Sequence, residues 1–331
     1  MHYAHYIKEI GRGAEGSRSL PYEEAKELYG AMLDGGVPDL ELGAIAIALR
    51  VKGESLDEMI AFFDAARERT HTLRLPSTRA RPVVLPTYNG SRKEANLTPL
   101  LALLLKRMGV PVVVHGLIEG FGRVTTAQVF RELGVAPCIT TTQAQVALDE
   151  QNLAFVPTAA LSPGLANLLA LRSRLGVRNT AHSLVKMLDP FQGEGLLVAA
   201  ATHPAFIDLM RDMLLAEAIP ALLMRGTEGE PFANPKRRPR IEYLRDGLSE
   251  CLFDPEHDSL KALPNLPESN DAAATARWTR GVLEGHIPLP VPIANQLACC
   301  LYGSGYVDDF NEAKAIVAVE ANAVPALAAL G

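Results

Sequence analysis

The chain has 331 residues and little cysteine: Cys138, Cys251, Cys299 and Cys300, with no Cys-x-x-Cys pair. That excludes a disulfide framework or a zinc ribbon, and a chain this long buries enough core to need neither. A reducing compartment suits this composition, so a cytoplasmic protein is expected. Long apolar runs are missing too. The stretch 100–105 runs into Lys106 and Arg107, and 196–201 soon meets Asp208. No window offers the ~20 uncharged apolar residues of a membrane-spanning helix, so no membrane partner is expected. The opening MHYAHYIKEIGRG carries no apolar secretory stretch. Positive charge is not in excess: 32 Lys+Arg stand against 38 Asp+Glu, a net charge of −6. The whole molecule is therefore no general polyanion binder, and only a locally basic face would serve that purpose. Internal repeats, a Walker loop, a Gly-x-Ser-x-Gly elbow and metal-type histidine spacing are likewise absent.

What is present is the balance of a folded globular protein, 48% hydrophobic and 21% charged. At ~150 residues per domain the length suggests two domains. Residues 20–75 read as helices with short connections. Pro21 with Glu23 and Glu24 marks one helix start, and Ser55-x-x-Glu58 spells a capping box for another. The character changes at residues 76–82. Val83-Val84-Leu85 fits a buried strand, a polar loop follows (87–93), then an apolar helix (97–108) and a second strand (110–115). Strand–helix–strand with short links implies a parallel sheet, whose ligands bind beyond the carboxyl ends of the strands. Residues 161–190 look helical again. Strands are expected at 196–200 and 221–224, with a helix (206–216) between them. Residues 225–247 read as a long polar connection whose prolines argue against a helix, and 271–329 as mostly helical.

The segment AMLDGGVPDLELGAIAIALRVKGES (31–55) closely resembles the helical domain of anthranilate phosphoribosyltransferases and class II nucleoside phosphorylases. VHG…GRVTTAQV (114–129) and GTEGEPFANPKRRP (226–239) resemble the YbiB-type homologues of anthranilate phosphoribosyltransferase. The resemblance implies an α/β fold: a small helical domain (1–76, with 158–190 returning to it) and a larger α/β domain (77–157 and 191–331) around a mainly parallel sheet. It also implies a homodimer that binds DNA or RNA, preferably single-stranded, with little sequence preference and no required cofactor. The alternative is phosphoribosyl transfer from phosphoribosyl diphosphate to an acceptor other than anthranilate, with Mg²⁺ as an optional partner. In the enzymes an arginine grips anthranilate's carboxylate. The stretch read here as its counterpart, 163–167, holds no cation.

The family's diphosphate loop, Gly-Thr-Gly-Gly-Asp-Gly, uses close-approaching backbone N–H groups. Here it reads Pro86-Thr87-Tyr88-Asn89-Gly90-Ser91. Pro86, Tyr88 and Gly90 depart from the pattern, and their combination predicts loss of the amide cradle. Thr87, Asn89, Gly90, Asn96, Thr98, His115 and Gly116 remain as a residual site, and Glu228 and Glu230 as a weak metal pair. Tyr88 either stacks on a base or packs on its own domain. The nucleic-acid reading rests on Arg92, Lys93, Arg123, Arg172, Arg174, Arg178, Lys236, Arg237, Arg238 and Arg240. In the family fold these would line one basic groove. Pro235 and Pro239 are expected to keep the last four cations from collapsing onto the surface.

Overall fold

The computed structural model describes residues 3–13, 15–258 and 265–328, with side chains through residue 320. The chain forms two units, Met1–His71 with Thr158–Leu188, and Thr72–Pro157 with Asp189–Gly331.

The first unit opens with α1 (Ala4–Ile10), α2 (Tyr22–Leu33), α3 (Asp39–Lys52) and α4 (Leu56–Glu68). Glu23 and Glu24 sit in the first turn of α2, where the helix dipole favours acids. Its buried Tyr29 stacks on Phe62 of α4 with ring centroids 4.7 Å apart. The capping box forms as the spacing predicts: Glu58 N–H donates to Ser55 Oγ, and Ser55 N–H to the Glu58 carboxylate. That carboxylate is fully buried and also accepts from Leu20 N–H at 2.9 Å and Lys52 Nζ at 2.6 Å. One side chain thus ties α4 to the segments before α2 and after α3. Helix α3 buries Ile45, Ala46 and Leu49 but leaves Leu40, Ile47 and Val51 exposed. They border a cleft of about 870 Å³, lined also by Ile7, Ile10 and Leu175.

The chain continues in the second unit through β1 (Val83–Thr87), α5 (Thr98–Arg107), β2 (Val112–Gly116), α6 (Thr126–Glu132), α7 (Thr141–Gln151) and β3 (Leu153–Pro157). It returns to the first unit for α8 (Thr158–Leu161), α9 (Pro163–Ala170), α10 (Arg172–Leu175) and α11 (Ala181–Leu184). The second unit then resumes with β4 (Leu196–Ala201), α12 (Pro204–Ala216), β5 (Ala221–Arg225), β6 (Ile241–Arg245), β7 (Leu248–Phe253), α13 (Ala272–Leu283), α14 (Val291–Gly303) and α15 (Phe310–Ala328). Ala329, the end of the expected helical tail, lies outside the described residues.

The sheet order is β3-β2-β1-β4-β5-β6-β7, parallel from β3 to β5 and antiparallel thereafter. This is the α/β fold with a mainly parallel sheet that the strand–helix–strand pattern predicts. Strand order reverses between β1 and β4, and crevices at such a reversal receive ligands in open parallel sheets. Helix α5 covers one face with Leu100, Leu101, Leu104 and Leu105, packed into the same core as Leu85, Val112 and Leu297.

The polar connection expected over 225–247 needs correction, because Ile241–Arg245 within it are β6. Asp246 and Gly247, at φ 52° and 73°, make the tight turn to β7. Two consecutive left-handed residues match the twist of an antiparallel pair, which is why Asp-Gly signals a hairpin.

Candidate anion-binding site

Loops after β1, β2 and β5 meet at the carboxyl ends of the strands. The register Pro86↔His115 and Thr87↔Gly116 brings β1 and β2 to the same level. A Cβ on Gly116 would collide with the Thr87 carbonyl oxygen and lie 2.7 Å from Thr87 Cγ2, so only glycine allows the strands this approach. Strand β4 pairs with β1 only at Val83 and Val84. Pro86 lies beyond that pairing and forfeits no ladder bond to β4. Tyr88 is buried, and its hydroxyl lies 2.7 Å from His115 Nδ1. Of the two readings for Tyr88, packing on its own domain is the one found.

With the Tyr88 ring turned inward, the backbone of the loop is left open to an anion, and the anion is internal. Glu230 is fully buried. Its carboxylate accepts from Asn89 N–H at 2.7 Å, Gly90 N–H at 3.0 Å and the Thr87 hydroxyl. Asn96 Nδ2 and Thr126 Oγ1 stand 3.4 Å from the same carboxylate. Glu228 accepts from the N–H groups of Arg92 (3.1 Å), Lys93 (2.7 Å) and Glu94 (2.9 Å), and from Arg123 Nη1 at 3.2 Å. Burial pulls the Glu228 carboxyl up. The N–H groups of Glu94, Lys93 and Arg92 and the Arg123 guanidinium outweigh it and hold the group below the usual range. Five loop amides therefore converge on two carboxylates. Despite Pro86, Tyr88 and Gly90, the loop keeps a set of convergent N–H groups, and these are filled by the protein's own side chains. Gly90 itself, at φ 64° with Arg123 Cβ and Val124 O about 3 Å from any added Cβ, has no room for another residue.

The two carboxylates ride on a tight hairpin. Thr227 bridges Glu230, Gly226 N–H bonds Ala201 O at 3.1 Å, and Glu228 and Gly229 take φ 52° and 87°. A non-glycine residue in that region costs on the order of 1 kcal/mol, which the carboxylate's bonds must offset. Asn89 Nδ2 adds a clasp to Glu228 O at 2.9 Å. On the facing loop Ser91 and Val124 exchange backbone bonds, which places Arg123 beside Gly90 O at 3.1 Å.

Magnesium needs oxygen ligands with free lone pairs. Glu230 and Glu228 commit theirs to N–H and O–H donors, and no group of three His, Cys, Asp or Glu side chains suited to a metal occurs among the described residues. The pair, as arranged, does not fit a bound metal ion. Two fully buried hydroxyls, Ser91 Oγ in the loop and Thr98 Oγ1 at the start of α5, find no partner among the described residues. Thr98 N–H bonds Asn96 Oδ1 at 3.2 Å.

Thr87, Asn89, Gly90, Asn96, Glu228, Glu230 and Arg123 are thus brought together, with Thr98, His115 and Gly116 behind them. Thr126, in the GRVTTAQV stretch, joins this cluster although the candidate residues drawn from the sequence did not include it. Its hydroxyl lies 2.7 Å from Thr87 Oγ1 and 3.1 Å from Asn96 Nδ2. The Thr125-Thr126 pair after Arg123 was the available signal.

The cations behave differently from expectation. Lys236 Nζ lies on the Glu94 carboxylate at 2.9 and 3.0 Å. Arg238 pairs with Glu256 at 3.6 Å and covers the Phe253 ring at 4.8 Å, and Arg240 pairs with Glu242 at 2.9 Å. The flanking prolines do not keep these side chains off the surface, because carboxylates stand within reach of each. Arg92, Lys93 and Arg237 are exposed. In the first unit Arg174 pairs with Asp39 at 2.9 Å, and the Arg178 carbonyl accepts from Arg50. Arg172 opens α10. No helix among the described residues is long and apolar enough to cross a membrane.

Residues 4–70 match the helical bundle domain of a glycosyl transferase family. Anthranilate phosphoribosyltransferase of Thermus thermophilus superposes with a TM-score of 0.74 at 21% identity, covering 95% of this chain and 94% of that one. The Saccharomyces cerevisiae enzyme in complex with PRPP (phosphoribosyl diphosphate) and Mg superposes with a TM-score of 0.74 at 14% identity, covering 98% and 94%. In sequence, anthranilate phosphoribosyltransferase of Methanosphaerula palustris is 24% identical over 92% of this chain and 91% of its own. YbiB of Escherichia coli is 44% identical over 92% of this chain and 95% of its own. By that last match, on a phosphoribosyltransferase fold with its helical bundle, the chain belongs to the YbiB family of anthranilate phosphoribosyltransferase homologues.

Proposed function

We propose that this protein takes a phosphoribosyl diphosphate-type ligand in the loops after β1 and β5 and serves a phosphoribosyl transfer to an acceptor other than anthranilate. The observation that carries this reading is the convergence of five backbone N–H groups, with Thr87, Asn96 and Thr126, on carboxylates at the carboxyl ends of the strands. Donors that hold two carboxylates there suit the oxygens of a diphosphate. The unpartnered Ser91 and Thr98 hydroxyls support it further, since a buried hydroxyl without a partner costs about 1–3 kcal/mol that a bound anion's oxygens would recover. Because the acidic pair does not fit a metal as arranged, the loop amides are left to hydrogen-bond the diphosphate oxygens and Arg123 to pair with its charge. The relative solved with PRPP and Mg makes the magnesium form of the ligand the natural one to titrate. Isothermal calorimetry with phosphoribosyl diphosphate, with and without Mg²⁺, tests the reading. Saturable binding is expected, and no heat in either condition refutes it.

The second reading, sequence-tolerant DNA or RNA binding by a homodimer, is favoured by the exposed Arg92, Lys93 and Arg237. Its electrostatic share is reduced by the ion pairs on Lys236, Arg238 and Arg240. Anisotropy with a labelled single strand over a range of salt tests it, since each phosphate neutralised adds about 0.7 to the slope of log affinity against log salt. Absence of binding at low salt retires it. Self-association is supported by the apolar side of α3, where Leu40 and Val51 are 82% and 75% exposed.

A further inference from the structure

We propose that the hairpin between β5 and Pro231 is a built-in anionic plug: Glu228 and Glu230 occupy the amide cradle in the resting protein, and a phosphate-bearing ligand binds only by displacing them. The proposal rests on the ligand reading above and adds to it a competition inside the chain.

The geometry carries it. Each carboxylate bridges several backbone N–H groups of the facing loop, an arrangement that serves any anion. Glu230 accepts from Asn89 N–H and Gly90 N–H at 2.7 and 3.0 Å, and Glu228 from Lys93 N–H and Glu94 N–H at 2.7 and 2.9 Å. A diphosphate oxygen needs the same donors and cannot share them with a carboxylate of the same sign. The plug is also built to leave. Glu228 is held in a left-handed conformation at φ 52° and retains 17% side-chain exposure. Its release relieves backbone strain and returns one charge to water. Gly229 at φ 87° beside it supplies a residue that tolerates either hand. Arg123 is shared between the plug, at 3.2 Å from Glu228, and the loop, at 3.1 Å from Gly90 O. It stays beside the cradle when the carboxylate departs and pairs with the incoming anion.

The test is calorimetry of metal-free inorganic pyrophosphate against the full chain as wild type, Glu228→Gln, Glu230→Gln and, as a control for net charge, the exposed Glu150→Gln on α7. An acceptor in direct competition is worth about 1.5–3 kcal/mol when charged, so either plug variant is expected to tighten binding about ten- to hundredfold, with the control unchanged. Should Glu230→Gln fail to fold, Glu228→Gln carries the test alone, because its side chain sits at the rim. Saturable binding of equal strength in wild type and Glu228→Gln overturns the plug and leaves the ligand reading standing. Equal tightening in the Glu150→Gln control overturns the plug as well. No binding to any of the four overturns the ligand reading and the plug with it.

Discussion

His182 gives the sharpest quantitative expectation. Its half-buried ring lies in the first unit, where burial, and then the positive charges of Arg178, Arg172 and Lys186, push its pKa down from 6.5 to about 4. Its Nδ1 lies 3.3 Å from Asn179 N and 3.2 Å from Asn179 Oδ1. Between those two pKa values the unfolded chain binds a proton that the folded chain refuses. Acid therefore drains stability. The loss begins as pH falls below about 6.5, grows by ~1.4 kcal/mol per pH unit and saturates near pH 4 at about 3 kcal/mol. The perturbation is His182→Asn, which removes the titrating group. Urea unfolding of both proteins over the interval from neutral to about pH 4.5 separates this residue from the carboxylates that titrate alongside it. Wild type should lose about 2–3 kcal/mol more than the variant over that interval. Parallel pH profiles, or an imidazole resonance of His182 that titrates near its unperturbed value, refute the reasoning.

The remaining expectations concern other parts of the chain. Glu58→Ala removes the acceptor of Lys52, Ser55 and Leu20 and leaves a buried ammonium, so it should cost about 3–5 kcal/mol, read as a lower Tm by calorimetry. An unchanged Tm would show that the network is replaceable by water. Gly116→Ala drives a methyl into the Thr87 carbonyl and should cost about 3 kcal/mol while weakening pyrophosphate binding through Thr87; a stable variant with intact binding contradicts the register of β1 and β2. Val51→Asp places a charge on the exposed side of α3 and should dissociate any homodimer in sedimentation velocity. A wild type that sediments as a monomer at all concentrations removes that interface.

Much of the fold was legible because its signals are local. Ser55 and Glu58 announce their capping box by spacing alone, and the apolar openings of β1 and β2 announce a sheet buried on both faces. The β6–β7 hairpin was overlooked although Asp246-Gly247 is a strong turn signal. Prolines precede it, and β7 is an edge strand whose first four residues are all exposed, so it lacks the alternation that marks a half-buried strand. The site is less legible for a different reason. The cradle is made of backbone, and side-chain substitutions say little about it. Pro86 forfeits its N–H on the strand rather than in the loop, and Tyr88 folds onto His115. That Glu228 and Glu230 fill the cradle depends on contacts across about 140 residues of sequence, which no local pattern encodes.

The discontinuous first unit has a consequence for synthesis. Helix α9 brings Gly164 against the Leu33 backbone of α2, so the bundle stays open on that side until Leu188 has left the ribosome. At ~5–20 residues per second, the opening 71 residues wait roughly ten seconds for their missing wall. A nascent chain stalled within α7 would display the naked flank of α2, and that is the window in which a chaperone would find it.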